Sequence, residues 1–279
     1  MSLSFQTNVT SLVAENNLEV NSQFQANTID QLTSGYRINS SGDDAAGLAV
    51  ANGLRSSVSE LTQGVRNAND GVSILQTIDG GLNNISTILD QLKTLATQSA
   101  STTFSGNRST LNNEFTTLLG EIDRQAANIG LASAGGTSGQ YNTTIDVYIG
   151  GGDTQADSQV NVNLSGASNV VDSTGLGIHS DTVDTQAHAL AAITDITAAV
   201  TTLGNVQGAV GTGENDLQYA IGLAQSQITD KSAAESQIRD ADIATEAANL
   251  TKSQVLEQSS VAALAQANAA PQALLKLLQ

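Results

Sequence analysis

Apolar residues recur along the first half of the chain in steps that alternate between four and three: Leu54, Val58, Leu61, Val65, Ala68, Val72, Leu75, Ile78, Leu82, Ile85, Leu89, Leu92 and Ala96. Such steps hold one narrow stripe on one face of a helix, the seam of a coiled coil. A single slip, where Leu75 to Ile78 repeats a three, is a stammer that the seam survives. The stripe predicts one helix over about residues 44–99, roughly 80 Å long at about 1.5 Å per residue. Asn69-Asp70-Gly71 and Gly80-Gly81 are locally turn-like. The apolar phase continues across both, so the long helix is preferred.

Leu111, Phe115, Leu118, Ile122 and Ile129 predict a second helix after the polar turn at 101–107. A third is predicted over about 186–231, through Leu190, Ile193, Val200, Leu203, Val206, Val210, Leu217, Ile221, Ala224 and Ile228. Gly208, Gly211 and Gly213 weaken it, each by roughly 1 kcal/mol relative to Ala. Three amphipathic segments with narrow stripes bury little alone, so they must pack together as a bundle.

Between the second and third helices the period falls to two. Tyr141, Thr143, Ile145, Val147 and Ile149 alternate with polar neighbours, as do Val160, Val162 and Leu164 after a Gly/Asp-rich link. This reads as a β-hairpin, which is marginal in isolation and must lean on the helices. The fold class is therefore mainly α: a long antiparallel coiled-coil-like bundle with a small β-hairpin.

The two ends have a different texture. Residues 1–33 set Val9, Leu12, Val13, Leu18, Val20, Phe24, Ile29 and Leu32 among Asn, Gln, Ser and Thr, and residues 240–270 set sparse apolar positions among Ala and Ser. Both are amphipathic yet too poor in large residues to stabilise a free helix. They are expected to be loose in an isolated subunit and helical under a partner. The apolar tail Leu274, Leu275, Leu277 and Leu278, after a break at Pro271, also implies a partner.

Composition narrows the function. Aromatics are 3% of the chain and net charge is −17, with no Lys or Arg between Arg124 and Lys231. A surface so acidic repels nucleic acid and anionic membranes. No run approaches the roughly 18 apolar residues of a membrane span. The absence of Cys removes disulfides and thiolate metal sites. No apolar h-region opens the chain, so no cleavable signal is expected.

Candidate chemistry is thin. His179 and His188, nine positions apart, do not make a metal-ligand spacing, and no Ser/His/Asp set can be assembled. The stretch "GGGDTQAD" lacks the Gly-Lys-Ser/Thr ending of a phosphate loop and reads as a hairpin link. No catalytic residue, cofactor or metal is expected. The stretch "RINSSGDDAAGL" (37–48) offers Ser40, Ser41 and Asp43 as N-cap acceptors, with Asp43 and Asp44 placing negative charge at the start of the long helix.

Two longer stretches carry a resemblance. "QLTSGYRINSSGDDAAGLAVANGL" (31–54) with "LTQGVRNANDGVSILQTIDGGLNNISTIL" (61–89), and "SQIRDADIATEAANLTKSQVLEQSSVAALAQANAAPQALLKLLQ" (236–279), resemble the N- and C-terminal signatures of bacterial flagellin. The resemblance covers roughly residues 1–130 and 190–279. It implies three regions: an inner filament-core domain from residues 1–43 and 236–279, a rod-like helical domain from 44–235, and a short variable segment at about 131–185. The termini would pair as helices inside a tubular, extracellular filament, with Val9, Leu12, Val20, Phe24, Val261, Leu264, Leu274 and Leu277 in self-assembly. Arg37, Asn39, Asp43 and Asp44 would form the linker and inter-subunit joint.

The partners implied are further copies of the chain, hook-associated and cap proteins, and an export chaperone, with transit through a type III-like channel. The family's innate-receptor patch falls on Gln91, Leu95 and Glu114. Gln91 stands where the family usually has Arg, a planar multi-donor group that Gln does not replace, so recognition by the Toll-like receptor is expected to be weak. The alternatives are a hook–filament junction protein, a secreted adhesin or receptor-binding module, and an enzyme hidden in the outer segment.

Overall fold

The computed structural model describes residues 8–133, 139–152, 158–165 and 169–277, with side chains described as far as 270. Its elements in order are α1 (Val9–Ser34), α2 (Ala45–Ala100), α3 (Arg108–Asn128), β1 (Thr144–Tyr148), β2 (Gln159–Asn163), α4 (Gln186–Arg239) and α5 (Ile243–Leu277). They divide into two compact units, residues 57–229 and residues 1–56 with 230–279.

In the unit of residues 57–229 the apolar stripe lies where the spacing placed it. Leu61, Ala68, Leu75, Ile78, Leu82, Ile85, Leu89, Leu92 and Ala96 are all buried, including both residues of the stammer. They pack against Phe115, Leu119 and Ile122 of α3 and against Ile196, Leu203, Val206, Val210 and Leu217 of α4. α2 runs unbroken through both turn-like stretches. The reason is visible at two glycines. A Cβ on Gly81 would lie 2.2 Å from Ile129, and one on Gly71 would lie 3.0 and 3.1 Å from Val147 and Leu217. These residues admit close neighbours and do not turn the chain.

α3 begins at Asn107, whose side chain accepts from Ser109 N at 2.9 Å. It ends at Asn128 with Ile129 as its cap, and the chain then turns at Gly130, whose φ of 70° is a left-handed conformation suited to glycine. α4 contains the one window, among the described residues, long and apolar enough by composition to cross a membrane. That departs from the reading that no run approaches such a span. The window owes its apolarity partly to small residues, and its Ala189, Ala192, Ile196 and Ala199 face is buried in the core.

The hairpin is antiparallel, pairing Ile145 with Val162 and Val147 with Val160. It sits across α2 and α4 on glycine seats: a Cβ on Gly64 would lie 1.8 Å from the Ile149 carbonyl oxygen, and one on Gly213 2.5 Å from Val162. Asn67 Nδ2 donates to Tyr148 O at 3.0 Å, and the Tyr148 hydroxyl donates to Glu60 at 2.7 Å.

The segment from 169 to 185, part of the short variable segment, is a strap with a buried apolar side. Val171, Ile178 and Val183 are fully buried, and Val171 N donates to Leu131 O at 3.0 Å. A buried carboxylate, Asp172, accepts from Ser133 N and Gly175 N, each at 2.7 Å, and from Ser133 Oγ.

Candidate functional site

The unit built from the two chain ends carries the residues singled out from the sequence. α1 starts at Asn8, whose side chain accepts from Ser11 N at 3.2 Å, and stops at Gly35 with φ 75°. α5 starts at Asp242, whose carboxylate accepts from Ala244 N and the Thr245 hydroxyl. Those bonds, the Thr245 hydroxyl foremost, hold its pKa below the usual carboxylate value. α5 continues to Leu277, so the break expected at Pro271 does not end it. Both segments, expected to be loose in a single subunit, are instead helices that pair with each other. Asn8 Nδ2 donates to Ala267 O at 2.8 Å, Ser11 Oγ to Asn268 at 2.8 Å and Asn21 to Ser260 at 2.9 Å.

This pair is inverted relative to an ordinary amphipathic contact. Its buried residues are Thr28 and Ser253, whose hydroxyls donate back to Phe24 O and Leu250 O. The large apolar residues point outward instead: Val9 is 62% exposed and Val20 60%, with Leu12, Phe24, Val255 and Val261 exposed beside them. Leu264 is half-buried. Leu274 lies on α5 and Leu277 is its last residue, and both side chains fall outside the described set. Leu18, Leu32, Leu250 and Leu264 are half-buried on the same faces among small polar residues, so the pair gains only part of the burial available to it, and further apolar surface faces out.

The polar corner differs in detail from the sequence reading. Asp44 caps α2, accepting from Gly47 N at 2.9 Å; Ser40, Ser41 and Asp43 do not. Asp43 closes the preceding turn, accepting from Ser40 N at 2.8 Å and Asn39 N at 3.0 Å. Those two backbone bonds, Ser40 first, lower its pKa below the usual carboxylate value. Asn39 Nδ2 donates to Ser34 Oγ at 2.8 Å. Nearby, Arg37 N donates to Arg239 O at 2.7 Å, Ala241 N to Gly35 O at 2.9 Å and Arg37 Nη2 to Ile238 O at 2.7 Å. Arg239 stacks on Tyr36 at 4.1 Å. A one-rung bridge between Tyr36 and Asp240 ties the two crossing points of the chain, a contact the sequence did not suggest. Arg37, Asn39, Asp43 and Asp44 all spend polar groups within the chain.

Gln91, Leu95 and Glu114 do come together, lining one shallow depression with Thr94 and Leu118. His179 Nδ1 lies 3.1 Å from the Ser173 hydroxyl and His188 Nδ1 2.6 Å from Asp184, so the two histidines have separate partners. Among the described residues no group of three or more His, Cys, Asp or Glu side chains is placed to hold a metal.

Asp181 stands apart. One carboxylate oxygen is buried without a hydrogen-bond partner, and burial, then the charge of Asp195, raise its pKa to about 6. The folded chain therefore holds this proton more tightly than the unfolded chain. Its contribution to stability is complete below the unfolded value near 3.8 and is lost as pH rises through about 6. Asp181→Asn is expected to stabilise the chain at pH 7.5 by about 1 kcal/mol, discounted from the full linkage value for solvent screening. It should also flatten the dependence between pH 4 and 7.5, read from urea midpoints across that range. An unchanged slope would remove Asp181 from the account.

The chain is similar in sequence to known proteins. Family models match residues 5–129, as the bacterial flagellin N-terminal helical region, and residues 193–278, as the bacterial flagellin C-terminal helical region. A flagellin of Halalkalibacterium halodurans is 32% identical over 98% of both chains. The flagellar filament 30.7 kDa core protein of Treponema maltophilum is 33% identical over 97% of this chain and 98% of its own. The crystal structure of Bacillus cereus flagellin aligns with a TM-score of 0.47 at 24% identity, covering 61% of this chain and 94% of that one.

Proposed function

The chain belongs to the bacterial flagellin family and is a structural subunit of the flagellar filament, and from that premise we propose that its polymerisation is driven by the outward apolar faces of α1 and α5. The observation that carries this reading is the inverted helix pair, with Thr28 and Ser253 inside and Val9, Leu12, Val20, Phe24 and Val261 outside. Burying one such side chain gains about 1.5–3 kcal/mol. Several repeated at every subunit contact offset the loss of freedom on association. Leu264, Leu274 and Leu277, assigned to self-assembly from the terminal signature, belong to the same reading. In this reading residues 1–43 and 236–279 form the inner core of the filament, and residues 44–235 form a helical layer around it with the short segment at 131–185 outermost.

The finer partners follow from the same surface. An export chaperone covers the apolar face of α5 before assembly, and hook-associated and cap proteins meet the subunit at the filament ends. Export through a type III-like channel precedes assembly, and motility is the outcome. Gln91 weakens recognition by the Toll-like receptor, since it lacks the fork of donors an Arg would present beside Leu95 and Glu114. The chain is non-catalytic and binds neither nucleic acid nor membrane.

The test is to place carboxylates on the apolar faces. Phe24→Asp combined with Val261→Asp should abolish filaments seen by electron microscopy after salting out, because each desolvated carboxylate costs several kcal/mol. Both positions are exposed in the single chain, so the thermal transition of residues 57–229 should stay where it is. Filaments of ordinary length from this variant would sink the proposal.

A further inference from the structure

Along most of their length α1 and α5 have little with which to find each other. The buried and half-buried positions recur in steps of three and four, as Ser11, Ala14, Leu18, Asn21, Gln25 and Thr28 on α1 and Leu250, Ser253, Glu257, Ser260, Leu264 and Ala267 on α5. Most are small or polar, so this seam draws the two helices together weakly. The hydrogen bonds across it are scattered rungs, Asn21 to Ser260, Ser11 to Asn268 and Asn8 to Ala267.

At the base of the pair the contacts are dense. Main-chain bonds join Arg37 to Arg239 and Ala241 to Gly35, and the Arg37 side chain reaches Ile238 O, 201 positions away in sequence. Arg239, the last residue of α4, adds a side-chain lock. Its guanidinium lies 4.1 Å from the centre of the Tyr36 ring, within cation–π range, and the side chain is 16% exposed. Its Nε is buried without a hydrogen-bond partner, and the Glu235 carboxylate approaches Nη1 only to 4.0 Å. A buried donor left unmade carries a desolvation cost. The cation is thus held by the ring face, and Arg239 is placed for the stack rather than for an ion pair.

We propose that Arg239 is a positioning residue for assembly: stacked on Tyr36, it closes a clasp at the base of the terminal pair, and α1 and α5 zip together outward from that clasp as the subunit joins the filament. Two segments must be brought side by side before any seam contact forms, and the entropy of that step is lost where the clasp closes. Each later contact is then local. The buried Thr28 and Ser253 come next, followed by Asn21 with Ser260 and then Ser11 with Asn268. A contact complete in the closing step governs the rate of joining and hardly alters the rate of leaving. The proposal rests on the reading of the chain as a polymerising subunit, and it concerns contacts inside one chain, separate from the outward faces of α1 and α5.

The test separates joining from leaving. Full-length Arg239→Gln chains are added to seeds of the unaltered filament, and elongation is followed by light scattering and electron microscopy. Loss from the grown ends is followed on dilution at a fixed raised temperature. Elongation is expected to slow several-fold at equal subunit concentration, with the rate of loss unchanged. Tyr36→Phe keeps the ring face and should elongate like the unaltered chain, whereas Tyr36→Leu keeps only bulk and should slow as Arg239→Gln does. Elongation by Arg239→Gln at the unaltered rate overturns the proposal. Slower elongation matched by faster loss also overturns it, because that is the mark of a contact that only stabilises. If Arg239→Gln fails to fold, the Tyr36→Phe and Tyr36→Leu pair carries the same test. An unaltered chain that forms no seeds counts against the assembly reading instead, so the two failures are distinguishable.

Discussion

A chain carrying Gly64→Val is expected to fold with its hairpin displaced from α2 and to melt about 6–12 °C lower than the unaltered protein. The added Cβ would stand 1.8 Å from the carbonyl oxygen of Ile149, a backbone atom that no rotamer change can move aside. Relief requires the end of β1 to lift. That breaks the bond from Asn67 to Tyr148 O and the bond from Tyr148 to Glu60. It also uncovers Val147, Ile149 and Val162, which the hairpin buries against the helices. A two-stranded hairpin has little stability of its own, so nothing local restores the loss. Overpacking of this kind costs about 3 kcal/mol or more.

The control is Gly208→Ala on α4, where an added Cβ meets nothing within 4 Å. There the better helix propensity should stabilise by about 0.5–1 kcal/mol. Calorimetry, with amide exchange in β1, reads both. Equal stabilisation by the two substitutions would show that the glycine seat is not needed.

Asp172→Ala should destabilise the same unit by about 2–4 kcal/mol, the loss of an acceptor that serves several donors at once. The carboxylate is 6% exposed and takes bonds from Ser133 N, Ser133 Oγ and Gly175 N, tying the chain after α3 to the strap before α4. Without it the two amides lose their partner in a part-buried setting, and Val171, Leu176 and Ile178 lose the tie that seats them. Ser173 N, which donates to Asp123 at 2.7 Å, keeps a second anchor on α3, so local opening should precede global unfolding. Asp172→Asn retains one acceptor oxygen and should fall between. Urea unfolding with exchange at the Ser133 and Gly175 amides measures this, and a change within about 0.5 kcal/mol would show the strap to be held by burial alone.

The long helices were legible because their signal is local and repeated. Leu61 through Ala96 repeats the seam often enough that neither Asn69-Asp70-Gly71 nor Gly80-Gly81 could outvote it, and the hairpin announced itself by a change of period. The strap was not legible. Its buried residues are held by contacts from Asp172 to Ser133 and from Val171 to Leu131, about forty positions away in sequence, and such pairings leave no periodic trace. The capping role given to Asp43 went to Asp44 for a similar reason, since several acceptors stood within reach and only the backbone path selected one.

The ends show the same division most clearly. Sequence alone determined that residues 1–33 and 240–270 carry sparse apolar positions in an amphipathic pattern, and that the family signatures stand at both ends of the chain. Only the tertiary structure decided which faces the two helices turn toward each other. An amphipathic pattern states that one face is apolar but not what covers it, and here Thr28 and Ser253 are buried while Phe24 and Val261 are left outside. The glycines divide likewise. Their positions are written in the sequence, but whether Gly64 or Gly208 is required depends on the backbone that crosses it, because the clash that makes a glycine necessary exists only in three dimensions.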